Sequence, residues 1–285
     1  MRSDLSQTAL VIAGSDPSGG AGIQADIKTF TTLGVYCGAV ITAVTCQNTR
    51  GVSYFFPLSP TLVKDQVNNV LTDLNISHIK IGMLGSPAIA QGLKEILADY
   101  KGEIIFDPVT VAGSGDSLYD NQEQGGTIED IREVIKLATV ITPNLDELAA
   151  ISGMDCSESK KACQASAGIL AAFSRLRAVC LTGGHTEKSP ELVTDFLIKR
   201  PLPPRGAGSS GKEPEVFSLS HSHIKSPNLH GTGCIFSSAF TAYHLLSGED
   251  RKAFTGASEF TTRLIEKSAS YHIGEGNGPL LHFLN

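Results

Sequence analysis

A glycine-rich stretch near the C-terminal end of the sequence has the residue types that bind an anion and move a proton. It reads His230-Gly231-Thr232-Gly233-Cys234 and leads directly into a helical pattern of apolar residues. The first N–H groups of a helix lack an internal partner and carry a partial positive charge, and glycine lets a phosphate or oxyanion approach them. A cysteine in the first helical turn is a candidate base, because a thiolate is favoured there. The structural alternative is a glycine turn before a helix with a small buried cysteine.

Polar residues that could act with this stretch follow several predicted strands. They are Asp16, Gln47, Asp107, Asn144, Glu147 and the turn Thr182-Gly183-Gly184. In open parallel sheets, ligands bind outside the carboxyl ends of the strands, so these residues predict a site at one sheet edge. Each also has a structural alternative, and Asn144 with Glu147 matches a helix capping box. His185 and His230 are interpreted as polar loop residues.

The elements that would position these residues alternate along the chain. Predicted strands cover 8–13, 35–45, 78–83, 103–106, 139–142 and 178–181. Helical patterns separate them, and further helices are predicted at 126–137, 157–175, 234–247 and 249–271. This alternation predicts a mostly parallel sheet covered by helices on both faces.

The second half of the sequence departs from this alternation once. Segments 191–198 and 215–219 predict a hairpin, and the connection 200–214 is rich in Pro, Gly and Ser and is expected to be a mobile loop. No internal repeat and no domain linker is evident. We therefore expect a single domain over residues 1–285.

The composition excludes several classes of protein. The chain has 285 residues, 41% hydrophobic content, a formal net charge of −6 and no run of Lys or Arg. This argues against a nucleic-acid binder or a polybasic membrane protein. No stretch approaches the roughly 18 apolar residues that span a bilayer. The six cysteines are scattered, without CxxC or zinc spacing, which predicts reduced thiols and a cytoplasmic location.

One segment partly matches a phosphate-binding motif but does not meet its requirements. Residues 206–212, GAGSSGK, fit the first seven positions of a Walker A phosphate loop. The eighth position is Glu213, where Ser or Thr should coordinate magnesium, and Pro214 follows. The segment neither leaves an apolar strand nor opens a helix, so we reject it as a phosphate loop.

Six segments occur in the same order along nearly the whole chain as in one known family. They are AGSDPSGGAGIQAD (13–26), QNT (47–49), KIGML (80–84), DPV (107–109), ITPNL (141–145) and HGTGC (230–234). The set resembles the hydroxymethylpyrimidine/phosphomethylpyrimidine kinases of thiamine biosynthesis, which belong to the ribokinase-like superfamily. The resemblance implies a three-layer α/β/α fold with a mostly parallel central sheet. It also implies ATP-dependent phosphorylation of 4-amino-5-hydroxymethyl-2-methylpyrimidine and then of its monophosphate.

The resemblance also implies roles for individual residues. The pyrimidine pocket would be lined by Gly14, Asp26, Gln47, Met83 and Val109. The nucleotide would contact Asn144, Glu147, Thr182 and Gly184, and Asp107 and Glu147 would organise Mg²⁺ through water. The anion hole for the transferred phosphoryl would be formed by Gly231, Thr232 and Gly233. Relatives suggest a homodimer.

Cys234 stands where ribokinase-like enzymes more often have aspartate as the base. A thiol whose pKa is lowered by the helix N-terminus would accept a hydroxyl proton near neutral pH. We expect Cys234→Ala to lower turnover strongly without abolishing pyrimidine binding, and unchanged turnover would remove Cys234 from the mechanism.

Two positions depart from the family pattern. Gly113 stands where relatives often have lysine, and Thr182 stands where some relatives have lysine and others threonine. The loss of a cation near the phosphates predicts less efficient transfer, especially onto an already phosphorylated substrate. Three alternatives remain open: a pyridoxal kinase of the same lineage, a non-catalytic pyrimidine sensor, and a cysteine hydrolase using Cys234 and His230. The hydrolase lacks an evident acidic partner for the histidine.

Overall fold

The computed structural model of the chain describes residues 8–109, 126–185, 191–201 and 213–285. Within them, one sheet is built from β1 (Thr8–Ser15), β2 (Tyr36–Asn48), β3 (Gly51–Pro57), β4 (Ile76–Ile81), β5 (Glu103–Phe106), β6 (Val140–Ile141), β7 (Ala178–His185), β8 (Leu192–Lys199) and β9 (Glu215–Ser222). Its order is β3-β2-β1-β4-β5-β6-β7-β8-β9. The six central strands, β2-β1-β4-β5-β6-β7, run parallel to their neighbours. At the edges, β3 pairs with β2, β8 with β7 and β9 with β8 in antiparallel fashion.

Helices cover both faces of this sheet. They are α1 (Gly22–Thr32), α2 (Pro60–Asp73), α3 (Pro87–Leu97), α4 (Ile128–Ile135), α5 (Leu145–Ser152), α6 (Ser159–Ala172), α7 (Thr232–Ser247) and α8 (Asp250–Ser268). One apolar core lies between the sheet and helices α2 to α6, and a second lies between the sheet and α1, α7 and α8. The predicted three-layer α/β/α fold with a mostly parallel sheet is confirmed.

Strand β3 is the element that the sequence pattern did not predict. It alternates Val52, Tyr54 and Phe56 in the manner of a half-exposed strand, and it pairs with β2 through Val44↔Phe56 and Cys46↔Tyr54. Because β3 supplies a partner, β2 continues through Gln47 and is longer than the 35–45 strand expected. Gly113 and residues 202–212, which include the Walker-like segment and most of the 200–214 loop, lie outside the described residues.

The chain after α8 returns to brace the glycine stretch that opens α7. The backbone N–H of His230 donates to Gly278 O at 3.0 Å, and Gly278 N donates to Pro227 O at 2.9 Å. The side chain of Asn228 donates to the carbonyls of Ser268 and Tyr271, both at 2.7 Å. The loop before α7 is therefore held from both sides by backbone hydrogen bonds.

In the part of the chain that the structure describes, no helix is both long enough and apolar enough to cross a bilayer.

A hydrogen-bonded pair of buried histidines lies between β4 and α7. Arg177 Nη2 donates to His244 Nε2 at 3.0 Å, which leaves His244 Nδ1–H to donate to His78 Nε2 at 2.9 Å. His78 Nδ1–H then donates to Ser77 Oγ at 2.9 Å. Burial and the neighbouring His244 lower the pKa of His78 from its ordinary 6.5 to about 4, since a second proton would place two donors face to face.

We expect this pair to make the fold sensitive to mild acid. Between pH 6.5 and 4 the unfolded chain binds a proton at His78 that the folded chain does not, so the free energy of unfolding falls as the pH falls. His78→Gln keeps an acceptor for His244 and does not titrate. Between pH 7 and pH 5 it should lose about 2 kcal/mol less stability than the unmodified chain in urea unfolding. The exposed His272→Gln is the control, and an equal loss in all three proteins contradicts the assignment.

Candidate active site

Asp16 organises the glycine loop that follows β1. Its Oδ1 accepts from the backbone N–H and hydroxyl of Ser18 at 2.8 and 2.7 Å, and its Oδ2 accepts from the N–H groups of Gly20 and Ala21 at 3.1 and 2.8 Å. The loop closes at Gly22, which has φ +55°, and a β-carbon there would overlap a backbone carbonyl. The carboxylate and glycine together fix this turn.

His230 connects that loop to the start of α7. Its Nε2 donates to Asp16 Oδ2 at 2.8 Å and lies 3.1 Å from the side-chain amide of Gln47. Burial raises the pKa of Asp16, but the hydrogen bonds from His230, Ser18 and Ala21 outweigh it and lower the pKa to about 2. Our sequence interpretation of His230 as a loop residue missed this contact, and the acidic partner it lacked is Asp16.

The first turn of α7 has two glycines with different structural requirements. Gly231 has φ +83°, and a β-carbon there would overlap the carbonyl oxygen of Gly20. Gly233 is exposed, and within the part of the chain that the structure describes a β-carbon there would meet no atom within 4 Å. The packing of the two loops therefore requires Gly231, whereas Gly233 leaves open space beside the unpaired N–H groups of the helix.

A buried ion-pair network lies beneath this turn. Lys80, completely buried in β4, donates to both oxygens of Asp26 at 2.9 and 3.0 Å and lies 3.9 Å from Asp107 Oδ2. Ser238 and Ser237 of α7 donate to Asp26 at 2.7 Å and to Asp107 at 3.1 Å. The network therefore ties α7 to α1, β4 and the end of β5.

Lys80 is a cation in this network. Burial lowers its pKa, but the carboxylates of Asp26 and Asp107 outweigh burial and raise the pKa above its usual value. Asp26 is fully buried against Lys80 and is not among the residues that line the cavity described below, so its place in the pyrimidine pocket stays a prediction. The only sequence signal for this pair was a lysine within a strand of otherwise buried residues.

Two cavities meet at the start of α7. The smaller, of about 190 Å³, lies between the glycine loop, the ends of β4 and β5, and α7. Among the predicted site residues it is lined by Gly14, Gln47, Met83, Asp107, Val109, Asn144, Glu147, Thr182, Gly231, Thr232, Gly233 and Cys234. The structure thus brings these residues together, and their binding roles stay predictions. Gly184 pairs with Thr194 between β7 and β8.

The larger cavity, of about 380 Å³, lies between β7, β8, β9 and α8. It shares Asn144, Thr182, Leu229, Thr232 and Gly233 with the smaller cavity. Asp195 of β8 forms part of its wall and accepts from Gly183 N at 3.0 Å and from Ser258 Oγ at 3.1 Å. Two ligands of unequal size would therefore meet at the first turn of α7.

Comparison with known proteins decides the family. The model of the phosphomethylpyrimidine kinase family matches residues 16–281. The chain is 36% identical over 277 residues to the hydroxymethylpyrimidine/phosphomethylpyrimidine kinase of Haemophilus influenzae, covering 96% of each chain. The chain belongs to the phosphomethylpyrimidine kinase family.

Solved structures of similar proteins agree on the fold. The ADP complex of Bacillus subtilis pyridoxal kinase superposes with a TM-score of 0.78 at 30% identity, covering 98% of this chain and 99% of that one. Phosphomethylpyrimidine kinase from Clostridium difficile gives a TM-score of 0.71 at 32% identity, covering 90% and 98%. The ribokinase-like expectation is confirmed.

In this family member, the expected metal residues already have protein partners. Asn144 Oδ1 accepts from Glu147 N and Glu147 Oε2 accepts from Asn144 N, each at 2.9 Å, so the capping box is present. Asp107 accepts from Ser237 and from Thr142, the latter at 3.3 Å. Among the described residues, no group of three or more His, Cys, Asp or Glu could hold a metal. Two carboxylates suit an ion that keeps most of its water, as Mg²⁺ does.

Cys234 differs from the sequence expectation in its ionisation. Burial raises the pKa of its thiol to about 12, the carboxylates of Asp107 and Asp26 add to this effect, and Lys80 offsets it only in part. The expectation of a pKa lowered by the helix N-terminus is therefore wrong, because burial and nearby negative charge outweigh the helix. In the free protein near pH 7 this residue is a neutral thiol.

We expect Cys234 to react slowly with iodoacetamide at pH 7 to 8, since the thiolate is the reacting form. The exposed Cys46 is the control in the same molecule. Peptide mapping by mass spectrometry over a time course should show Cys46 modified at least about tenfold faster. Equal labelling of the two cysteines would contradict the raised pKa of Cys234.

Proposed function

We propose that the chain transfers the γ-phosphoryl group of ATP to the hydroxymethyl group of 4-amino-5-hydroxymethyl-2-methylpyrimidine and then to the resulting monophosphate. The observation that carries this proposal is the meeting of a small and a larger cavity at the first turn of α7. A phosphoryl donor and an acceptor in these two cavities would have their reacting groups side by side.

The smaller cavity suits the pyrimidine. The amide of Gln47 offers both a donor and an acceptor to an aminopyrimidine edge, and the Thr45 hydroxyl, which donates to its oxygen at 3.1 Å, fixes its position. Met83 and Val109 supply apolar surface on the same cavity. A β-carbon at Gly14 would lie 2.7 Å from the Met83 sulfur, so glycine there keeps the wall compact.

The larger cavity suits the nucleotide, with Asn144 and Thr182 at the boundary where the phosphates would pass. The N–H groups at Gly231, Thr232 and Gly233 would then receive the transferred phosphoryl group at the positive end of α7. Asp107 and Glu147 would hold Mg²⁺ through water. When bound, that ion neutralises charge on the phosphates.

The proton of the attacking hydroxyl needs no preformed base. In phosphoryl transfer the transition state is loose, so positioning and charge neutralisation dominate. The hydroxyl becomes acidic as its oxygen bonds to phosphorus and the bond from phosphorus to ADP breaks, and its proton then passes to a phosphate oxygen or to solvent water. Cys234 lines the cavity as a neutral thiol and would contact the reacting hydroxyl. We therefore expect Cys234→Ala to reduce turnover less than loss of the anion hole does.

A pyridoxal kinase is the second candidate, favoured by the structural similarity to the Bacillus subtilis pyridoxal kinase. An ATP-consumption assay with the pyrimidine, its monophosphate and pyridoxal side by side separates the two. The proposal expects turnover on both pyrimidines. Turnover on pyridoxal alone would establish the second candidate, and turnover on none would favour the non-catalytic sensor.

We also propose that the chain is a homodimer in a reducing compartment such as the cytoplasm. One face of β2 and β3 carries Val44, Tyr54 and Phe56, which are 45%, 66% and 70% exposed. Such a patch supports contact with a second copy. The reducing compartment is supported by the six cysteines, which are all free thiols. Light scattering should give twice the chain mass, and Tyr54→Lys with Phe56→Lys should give the monomer.

A further inference from the structure

One face of α8 forms a wall of the larger cavity. Ser258, Thr261, Thr262 and Ile265 lie on this face at helical spacing and all line the cavity. Ser258 donates to Asp195, so its hydroxyl is paired. Thr261 is 6% exposed, and among the described residues its Oγ1 has no hydrogen-bond partner.

Other helical threonines of this protein show how a buried hydroxyl is normally paired. Thr29 and Thr241 each donate to the carbonyl four residues earlier, at 2.8 Å. Thr261 does not make this bond, although it lies within a long helix. A buried polar group without a partner lowers the stability of the folded chain, so a ligand that pairs with it gains affinity.

The surroundings of Thr261 indicate which part of a ligand would lie there. Asp195 lies on the same cavity, and none of the described lining residues is Lys or Arg. Asp195 Oδ2 lies 3.6 Å from His221 Nε2, and the carboxylate offsets the charge of that histidine when it is protonated, so this wall offers little attraction to phosphate groups. The phosphates of a donor nucleotide would instead lie at the first turn of α7, which leaves the uncharged nucleoside beside α8.

We infer that the Thr261 hydroxyl pairs with a polar group of the donor's nucleoside and is a specificity-determining residue of this site. The inference rests on the proposed function, which places the nucleotide in the larger cavity. The hydroxyl lacks a partner in the free protein and gains one when the nucleotide binds. Its removal should therefore stabilise the free protein and weaken nucleotide binding.

The test is the pair Thr261→Val and Thr261→Ser in the full chain. Valine keeps the shape without the hydroxyl, so it should raise the melting temperature of the nucleotide-free protein by about 2 °C. It should also raise KM for ATP about tenfold while kcat and KM for the pyrimidine stay unchanged. Serine keeps the hydroxyl and should restore KM for ATP. Thr261→Ala serves as a second hydroxyl-free variant.

Thr241→Val is the matched control, since it removes a paired, buried hydroxyl outside the cavities. It should lower or preserve the melting temperature and leave KM for ATP unchanged. An unchanged KM for ATP in both hydroxyl-free variants of Thr261 would overturn the inference. Absence of ATP turnover by the unmodified chain would overturn the proposed function instead.

Comparison of ATP with 2′-deoxy-ATP then identifies the paired group. If Thr261 contacts the ribose 2′-hydroxyl, the deoxynucleotide should lose affinity with the unmodified chain but not with Thr261→Val. If Thr261 contacts the purine, the affinity lost with 2′-deoxy-ATP and the affinity lost through Thr261→Val should add. Inosine triphosphate should then lose affinity with the unmodified chain but not with Thr261→Val. Full additivity with both analogues would contradict a contact with either group.

Discussion

Gly233→Ala should reduce phosphoryl transfer by at least about a hundredfold while leaving the fold intact. The β-carbon would meet no atom of the described residues within 4 Å, so none of them opposes it. Alanine is also the better helix former, which favours unchanged or slightly raised stability. The added methyl group would occupy the space through which an oxyanion reaches the N–H groups at the start of α7.

Gly231→Ala is the contrasting variant, two residues away. It would force a non-glycine residue to φ +83° and overlap the Gly20 carbonyl, so it should cost about 2–4 kcal/mol of stability as well as activity. Urea unfolding and kcat measured on both variants separate the two effects. Full turnover by Gly233→Ala would show that the phosphoryl group does not pass this turn.

Lys80→Met should have the largest effect on stability of any change considered. It leaves Asp26 and Asp107 buried without their cation, and breaking a buried pair typically costs about 3–5 kcal/mol. The loss would also release α7, because Ser238 and Ser237 bond to the same two carboxylates. Activity should therefore fall together with stability.

The exposed pair Lys64 and Glu95 is the matched control. These side chains are 39% and 52% exposed and lie 2.8 Å apart, so Lys64→Met should change stability by less than about 1 kcal/mol. Asp26→Asn combined with Lys80→Met removes one of the two uncompensated charges and should recover part of the stability lost by Lys80→Met alone. If Lys80→Met unfolds at the same urea concentration as Lys64→Met, the buried pair is not a stabilising element.

Local patterns were enough to predict the layers of this fold. The helices at 157–175, 234–247 and 249–271 are present as α6, α7 and α8, with ends shifted by a few residues. Their apolar periodicity is set by the core that each one covers. Strand β3 was missed because its stability comes from pairing with β2 rather than from its own sequence alone.

The site was predictable only where residues follow strand ends. Parallel strands end at one edge, so Asp107, Asn144 and Gln47 could be brought together without knowing any contact. The bond between His230 and Asp16 joins residues 214 positions apart and has no local pattern. The raised pKa of Cys234 likewise depends on burial and on Asp26 and Asp107, which only the folded chain places nearby.

The most direct test of the account is the identity of the product. The purified chain is incubated with ATP and 4-amino-5-hydroxymethyl-2-methylpyrimidine, and the products are followed by phosphorus NMR and mass spectrometry. The account predicts a pyrimidine monophosphate, then the pyrophosphate, with both products formed at least about a hundredfold more slowly by Gly233→Ala. A protein that consumes no ATP with this pyrimidine, or that forms the same products at the same rate with Gly233→Ala, would contradict it.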